Sequence, residues 1–380
     1  MSREAVAART SARRGGLTRP PAIRARTPRA LAWRQLRRHR IAMVGGAILA
    51  VLYVVMLFAD FVAPYSLDFA DRDRFYHPPI APRLIDRQGR IHLQPFVYAT
   101  ELDNAGLRTY RIDPARTYPV HLFAQGERHK LLWLIPTTVH LFGVDAPGRI
   151  FLLGTDQFGR DLFSRILFGA RVSLVIGLLV VMITIPFGML YGGIAAYYGG
   201  RLENLMMRVV EVILGFPAFY LLITLAAVLP NNVACTTRYY LIVVIIAFIG
   251  WGGLSRLIRG AVLPMKQQEF VLAARAMGMG DLRIIVRHIL PNTTSLVVVV
   301  ATLSIPGSIL GESGLSFLGV GVREPCASWG NLLSAGTNLS NLINAPWLLV
   351  PGVFIIVAVV AYNFLGDGLR DALDPRLRTG

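Results

Sequence analysis

The sequence predicts an all-α membrane protein with six transmembrane helices and a partly β insert outside the membrane, between the first two helices. Three observations predict this class. The 380 residues are 54% hydrophobic and only 16% charged, with a mean hydropathy of +0.52, whereas a soluble domain has about 25% charged residues. Six apolar segments recur at lengths close to that of a membrane-spanning helix. The basic residues concentrate in every second connection between these segments.

The N-terminal segment is strongly basic. Residues 1–40 contain twelve Arg and one acidic residue, Glu4, in a chain of net charge +17. A basic tail is also typical of nucleic-acid binding, but this one runs directly into the apolar segment 41–63, which is longer than the core of a cleaved signal peptide. Basic residues beside a membrane helix stay in the cytoplasm. We therefore predict a cytoplasmic tail over 1–40, an uncleaved transmembrane helix over 41–63 and no nucleic-acid partner.

Residues 64–165 form the predicted extracytoplasmic insert, which ends in an interface-lying helix entry. Alternating stretches at 91–98 and 118–123, rich in β-branched and aromatic residues, predict short strands. Thr155, Asp156 and Asp161 are interpreted as caps of a turn and of the following helix. The two aspartates could also suggest an acid–base or metal pair, but no third ligand stands at a suitable spacing. We predict no catalytic, cofactor-binding or metal site in the chain.

The predicted core, 166–366, holds five further transmembrane helices, and 367–380 form a second cytoplasmic tail. The apolar segments lie at 172–191, 209–229, 240–257, 296–310 and 348–365, with Pro306-Gly307 interrupting the one at 296–310. With the N terminus inside, the basic loops all fall on the cytoplasmic side, as the positive-inside rule requires. The lipid bilayer is therefore a predicted partner, and the chain is expected to be multi-pass with both termini in the cytoplasm.

Four residues at the ends of the predicted helices need an explanation. Glu211 and Glu312 are costly if they face lipid, so each is expected to line the pore or to pair with a neighbour, such as Arg208 for Glu211. Cys235 and Cys326 are the two cysteines of the chain, and both fall in predicted outside loops. They are either independent thiols or a disulfide.

The loop at 264–291 joins the fourth and fifth predicted helices. Its residues 269–277 predict a short helix whose apolar stripe consists of Phe270, Ala273, Ala274 and Met277. Gly278 and Gly280 permit the positive φ that ends a helix. Asp281 can cap a second helix, which Pro291 is expected to close. By periodicity alone, the loop is either a connector between two spans or a docking element.

The motifs of this loop resemble the EAA loop of bacterial ABC importer permeases, through Ala273-Ala274, Gly278 and Leu290-Pro291. Further motifs resemble the dipeptide/oligopeptide/nickel branch of that family: Ala273-Ala274-Arg275-Ala276-Met277-Gly278, Arg287-His288-Ile289-Leu290-Pro291-Asn292, Leu153-Gly154-Thr155-Asp156, Gly159-Arg160-Asp161, Leu315-Ser316-Phe317-Leu318-Gly319 and Gly366-Asp367-Gly368-Leu369-Arg370-Asp371-Ala372-Leu373-Asp374-Pro375. The resemblance covers about 31–63 and 150–380. Leu272 stands where the motif has its Glu, and His288 where it has Ile, so an ion pair from that Glu to the ATPase is in doubt.

The resemblance implies a permease of six transmembrane helices that forms half of a pore with a second, homologous permease. Two ATP-binding subunits, or one fused ATPase, would dock on the EAA loop. The residues expected to couple to them are Phe270, Ala273, Ala274, Arg275, Gly278, Leu290 and Pro291. A solute-binding protein would deliver peptides, or alternatively nickel or oligosaccharides. The sequence has no G-x-x-x-x-G-K-[ST] motif, so ATP and Mg are expected in the partners, with no cofactor and no enzymatic activity in this chain.

Two hypotheses from other functional classes remain. A self-contained secondary transporter or channel predicts two related halves and more intramembrane charges, and the sequence has neither. A membrane enzyme with its active site in the insert would have to use the histidines of that segment. These histidines are too scattered in sequence to predict a close metal-binding pair: His77, His92, His121, His129 and His140.

Overall fold

The computed structural model describes residues 28–104, 106–132 and 134–373. The predicted tail segments 1–27 and 374–380 lie outside this part of the chain. Within it, five helices are long and apolar enough to cross a membrane, and a bent helix pair makes a sixth span if it counts as one. The predicted class is confirmed: the chain is mainly helical, and a small sheet lies between the first two spans.

The first span consists of α2 (Arg40–Leu57) and α3 (Ala59–Val62), preceded by α1 (Pro28–Arg38). His39 separates α1 from α2 and caps α2, because its Nδ1 accepts a hydrogen bond from the backbone N–H of Ala42. The helix α1 belongs to the segment predicted as a tail. Its Gln35 amide donates to the carbonyl of Asp371, so the first and last described helices meet on one side of the bundle.

The insert is a four-stranded antiparallel sheet whose strands lie in chain order. The strands are β1 (Arg83–Ile85), β2 (Ile91–Asn104), β3 (Thr109–Leu131) and β4 (Ile135–Val144). The long β3 pairs with β2 through its first half and with β4 through its second half. The two predicted strands lie inside β2 and β3. The predicted strands are shorter than the observed ones. Most side chains of the sheet are exposed, and this weakens the alternation that identifies a strand.

The next four helices are α4 (Leu162–Tyr198), α5 (Gly200–Leu214), α6 (Ala218–Ala227) and α7 (Cys235–Met265). The segment 209–229, predicted as the third span, is divided between α5 and α6, which meet at 78°. Pro217 has no backbone N–H to donate, and the residue before a proline avoids the helical conformation. The pair makes one bent span or a re-entrant loop.

The chain then forms α8 (Glu269–Ala276) and α9 (Asp281–Ile284). A π turn (Ile285–Ile289) and a 3-10 turn (Leu290–Thr293) join α9 to α10 (Thr294–Phe317). Two short helices, α11 (Trp329–Leu333) and α12 (Leu339–Asn344), precede the last span, α13 (Val350–Leu373). The predicted interruption at Pro306-Gly307 is wrong, because α10 is continuous through both residues. A proline removes one helical hydrogen bond, and here the surrounding helices bury Pro306 and hold the helix together.

Three buried clusters hold the bundle together. One joins α2, α4, α10 and α13 around the fully buried Trp329. A second joins α4 and α7 to the 264–291 loop, and a third joins α4, α6, α7 and α10. At the contact of α2 with α13, a Cβ on Gly45 would lie 2.6 Å from the carbonyl oxygen of Ala361. Glycine permits this close approach of two helices.

Candidate functional site

Helix α8 is the first half of the 264–291 loop. Val271 and Ala274 are buried, at 0% and 1% exposure, whereas Phe270 and Met277 are 38% and 74% exposed. Ala273 is exposed as well. Of the predicted apolar stripe, only Ala274 faces the bundle, together with Val271, whereas Phe270, Ala273 and Met277 lie on the outer side. The outer side exposes the large apolar residues Phe270, Leu272 and Met277 beside the charged Glu269 and Arg275, and exposed apolar residues of this size are available to a partner.

The inner side of α8 rests in an apolar socket. Val271 and Ala274 belong to one buried cluster with residues of α4, α7 and the helical turns after Gly278: Ala196, Tyr197, Leu254, Ile258, Val262, Ile284, Ile285, Ile289, Leu290 and Val297. Burying a side chain the size of Val or Ile contributes about 1.5–3 kcal/mol. The loop is thus folded onto the bundle as a fixed element and does not hang from it as a free connector.

The turn after α8 is closed by Gly278. Its φ is +75°, a conformation that glycine adopts without strain. The N–H of Met279 donates to the carbonyl of Ala274 at 3.2 Å, and the N–H of Gly278 donates to that of Arg275 at 3.0 Å. These two bonds form a Schellman motif, which satisfies the last carbonyls of the helix. The predicted helix–glycine–helix arrangement is the one observed.

Polar contacts tie the loop to the end of α4. The Lys266 ammonium donates to the carbonyl of Ala196 at 2.8 Å, and the Tyr197 hydroxyl donates to the Asp281 carboxylate at 2.8 Å. The Arg275 guanidinium lies 5.1 Å from the centre of the Tyr197 ring. The last turn of α4 therefore fixes both halves of the loop.

Leu290 and Pro291 lie where the loop enters α10. The prediction that Pro291 closes the second helix is wrong, because helical turns follow one another from Asp281 to Phe317 and pass through Pro291. The N–H of Leu290 donates to the carbonyl of Ile285, five residues back. This wider turn lies just before Pro291, which has no backbone N–H to donate. Leu290 is buried at 6% exposure, whereas Pro291 is exposed.

At the opposite end of α4, the insert packs on the segment 153–161. The Thr155 hydroxyl accepts from the N–H of His77 at 2.7 Å and donates to the carbonyl of Arg74 at 2.5 Å. The His77 ring contacts the Pro78 carbonyl and the Thr100 hydroxyl. Burial lowers the pKa of His77 from 6.5 to about 4. His77 is therefore a neutral ring that joins the sheet to the bundle.

The predicted capping roles in this segment are observed. Asp161 begins α4 by accepting from the N–H and hydroxyl of Ser164 at 2.8 Å and 2.6 Å. Asp156 accepts from the backbone N–H groups of Phe158 and Arg160 within its own turn.

A charge cluster on the insert side was not predicted from the sequence. The Glu324 carboxylate accepts from Arg160 at 2.6 and 2.9 Å and from Arg165 at 2.9 Å. Arg160 also pairs with Asp156 at 2.7 Å. Arg165 is 1% exposed, and a buried guanidinium is stable when it is paired. Glu324 is 164 residues from Arg160 in the chain, so local spacing carries no signal for this cluster.

The two cysteines are joined in a disulfide, with a Cα–Cα distance of 6.2 Å. It ties the start of α7 to the segment after α10. Beside it, Arg238 is 3% exposed and donates to the carbonyls of Gly321 and Val320. The loop that carries Glu324 is thus fixed by a covalent bond and by a buried cation.

The two glutamates differ in their surroundings. Glu211 pairs with Arg208 at 3.0 Å, and both side chains are more than half exposed. Glu312 is fully buried and contacts the hydroxyls of Ser316 at 2.6 Å and Ser173 at 3.3 Å. Glu312 therefore joins α10 to α4 inside the bundle, where serine hydroxyls satisfy its oxygens.

A cavity of about 370 Å³ opens in the middle of the bundle between α4, α6, α7 and α10. Gly253 and Gly307 line it, and a Cβ on either would meet no atom within 4 Å. The hydroxyl groups of Thr184, Ser304 and Ser308 also line it. The cavity therefore combines an apolar wall with a few polar groups, as pockets for small molecules do.

The histidines of the insert come closer together than their spacing suggests. The rings of His129 and His140 are 4.5 Å apart across the β3–β4 pair. Both nitrogens of His140 are near carbonyl oxygens, those of Ala63 and Glu127. Among the described residues, no three His, Cys, Asp or Glu side chains are grouped closely enough to hold a metal ion.

Sequence comparison identifies two matching family profiles. Residues 184–379 match the binding-protein-dependent transport system inner membrane component, and residues 27–79 match the N-terminal TM domain of oligopeptide transport permease C. The first match contains the 264–291 loop and most of the lining of the central cavity. The second contains the first span.

Similar proteins are found among curated bacterial permeases. The dipeptide transport system permease protein DppC of Bacillus subtilis is 34% identical over 349 residues, which are 91% of this chain and 85% of the relative. The oligopeptide transport system permease protein OppC of Haemophilus influenzae is 44% identical over 226 residues, 59% of this chain and 70% of the relative. OppC of Escherichia coli is 42% identical over 226 residues, 59% of this chain and 72% of the relative.

Proposed function

The chain belongs to the binding-protein-dependent transport system inner membrane component family, and we propose that it is one of two permease subunits of an ATP-driven peptide importer. It is a transport permease of the membrane, with several apolar helices. Peptides are the proposed solute because the relatives are named as dipeptide and oligopeptide permeases. Nickel and oligosaccharides are the alternative solutes for this permease type.

The outer side of α8 supports a docking role for the 264–291 loop. The helix is held in its socket by Val271 and Ala274, while Leu272 and Met277 remain 50% and 74% exposed. The small side chain of Ala273 is exposed between them. We infer that a cleft of a separate ATPase covers this apolar surface, and that ATP and Mg bind in that partner. Because α8 packs against α4 and α7, a movement of the ATPase would be transmitted directly to these two helices.

The central cavity supports a path for the solute. Its open side at Gly253 and Gly307 is where a second, homologous permease would complete the wall. A peptide is largely backbone, so hydroxyls such as those of Thr184 and Ser304 could replace part of its hydration without selecting one side chain. An extracytoplasmic solute-binding protein would deliver the peptide on the insert side.

The proposed orientation places both termini and the 264–291 loop in the cytoplasm. Arg37 and Arg38 end α1 immediately before the first span, and the loop carries Lys266, Arg275, Arg283 and Arg287. Positive charges of this density favour the cytoplasmic side. The insert would then lie outside.

The docking role is tested by co-purification of the ATPase subunits with the permease. We expect Ala273→Glu to remove the ATPase, because a charge would enter an apolar contact, while the thermal stability of the permease is unchanged. Leu107→Glu is the matched control, since Leu107 is 71% exposed on the insert. An ATPase that is retained in equal amount by Ala273→Glu and by Leu107→Glu would contradict docking on α8.

The solute is tested with the complete importer in liposomes. We expect ATP-dependent uptake of labelled peptide when the solute-binding protein is present. Uptake of nickel or of an oligosaccharide, with none of peptide, would replace the proposed solute without affecting the docking role. Uptake that needs no ATP would favour the secondary transporter.

A further inference from the structure

The β3–β4 hairpin carries large apolar side chains that the fold leaves uncovered. Leu122 and Phe123 are 72% and 64% exposed, and Leu134 and Ile135 at the hairpin end are 81% and 58% exposed. Residues 131–135 are all apolar in sequence. We call Leu122, Phe123, Leu134 and Ile135 the hairpin patch. Apolar side chains concentrated on one exposed hairpin indicate a surface that is covered in the working protein.

The hairpin lies across the insert-side ends of the first two spans. His140 Nδ1 is 2.6 Å from the carbonyl oxygen of Ala63, at the end of α3. The rings of Phe142 and Phe163 are 6.0 Å apart, and Phe163 is in the first turn of α4. The hairpin therefore contacts the insert-side end of the first span and the first turn of α4.

The patch continues a surface that faces lipid. On α2, Val51, Val54 and Leu57 are 61%, 53% and 37% exposed. Phe61 lies in α3, after the break at Phe58. Its ring lies 6.2 Å from that of Phe123. The exposed apolar residues of α2 are thus followed by an aromatic contact between α3 and the hairpin.

The backbone at Phe123 is strained. Phe123 has a φ of +57°, which is uncommon for a bulky residue and costs about 1–3 kcal/mol. Both faces of β3 are exposed along much of its length, so Leu122 and Phe123 are both accessible. Strain of this kind persists where it serves a function.

We propose that the hairpin patch lies in the headgroup region of the lipid leaflet on the insert side. This contact with the membrane would fix the position of the insert. Charge supports lipid as the occupant, since the exposed Arg128 and Lys130 precede the hairpin end. A basic residue near an anionic membrane surface contributes about 1 kcal/mol of attraction. The proposal depends on the chain being a membrane protein and is independent of the solute and the ATPase.

The test uses the complete importer in nanodiscs of phosphatidylethanolamine and phosphatidylglycerol. Phe123→Cys and Leu134→Cys are each labelled with the fluorophore NBD, and the unsubstituted protein is the labelling blank because its two cysteines are bonded to each other. Leu107→Cys is the matched control: Leu107 is 71% exposed at the other hairpin end. Its neighbour Arg108 donates to Asn341 at 2.8 Å. Quenching by nitroxide lipids and by aqueous iodide is compared at the three positions.

We expect a blue-shifted emission, strong nitroxide-lipid quenching and loss of iodide quenching at positions 123 and 134, with the reverse at 107. Iodide quenching at 123 or 134 equal to that at 107 would overturn the proposal. Protection from iodide without nitroxide quenching would also overturn it, because a protein partner would then cover the patch. Circular dichroism and co-purification of the partner subunits verify that each labelled variant is folded.

Discussion

The 264–291 loop and the cluster around Glu324 are both polar segments attached to the ends of α4, but they use their side chains differently. On the insert side, Arg160 and Arg165 share one carboxylate, and a disulfide fixes the neighbouring segment. On the loop side, apolar packing of Val271 and Ala274 seats the helix, and its outer side remains uncovered. The insert-side charges are therefore paired mainly with one another, although Nε and Nη1 of the buried Arg165 have no hydrogen-bond partner among the described residues, whereas the outer side of α8 is uncovered.

The difference indicates which end of α4 is better suited to bind a partner. A cluster whose charges are paired with each other has little to gain from a partner, because a new contact would first break an existing one. An exposed apolar helix side gains from any fitting partner, since its burial removes apolar area from water. Variants at each end can break this distinction.

The largest effect is expected from Ala274→Asp. The new carboxylate would enter the apolar socket without a cation, and an uncompensated buried charge costs about 3–5 kcal/mol. Thermal unfolding of the purified protein should show this loss, and limited trypsin digestion should cut sooner at Arg275. Ala273→Asp is the control on the exposed neighbour and should change stability by less than about 0.5 kcal/mol. Equal destabilisation by the two substitutions would mean that neither side of α8 is packed against the bundle.

The second prediction concerns the disulfide. Cys235 and Cys326 are 91 residues apart, and closing a loop of that length stabilises a fold by about 2–4 kcal/mol. The double variant Cys235→Ser/Cys326→Ser should therefore unfold at a lower temperature. A reducing agent should lower the unfolding temperature of the unsubstituted protein and leave that of the double variant unchanged. Insensitivity of both to reductant would show that the bond contributes nothing to the rigidity of the insert side.

The sequence predicts the elements of the loop side far better than the contacts of the insert side. Gly278 predicts the turn through its own backbone preference, so a local pattern is sufficient there. Asp281 does begin the second helix, but it is not the predicted cap: Gly280 precedes the helix without a side-chain cap, and the Asp281 carboxylate accepts from Tyr197. Glu324 meets Arg160 because α4 and the segment after α10 are packed together, which no local pattern encodes. The helical repeat also does not show whether the bundle buries Phe270 or Val271, because both residues fit it. Only the position of the socket distinguishes them.

The third prediction is a dependence of stability on pH. Burial lowers the pKa of His77 from 6.5 to about 4, so the unfolded chain takes up a proton at a higher pH than the folded one. The stabilising contribution is complete above pH 6.5 and is lost as the pH falls toward 4. At about 1.4 kcal/mol per pKa unit, the loss reaches about 3 kcal/mol. Thermal unfolding between pH 7 and 4 should be less pH-dependent in His77→Gln, whereas the exposed His92→Gln should keep the full dependence.

The smallest effect is expected from Gly278→Ala. A Cβ at this position would meet no atom within 4 Å, so the cost comes from the φ of +75° and should be about 1 kcal/mol. Gly280→Ala is the control, because Gly280 also has open space around it and its φ is −65°. Thermal unfolding should separate the two variants. If they are equally stable, the turn adjusts freely and cannot fix the position of α8.

Helix α4 connects the insert side to the loop side as one continuous element. It has 37 residues, so at 1.5 Å per residue it is about 55 Å long. One end begins at the Asp161 cap beside Arg160, and the other supplies Tyr197 to the loop. A tilt of about 10° around its midpoint would carry each end roughly 5 Å in opposite directions. If the helix moves as one body across its internal Pro186, a partner that pressed on the loop would displace the insert side without touching it.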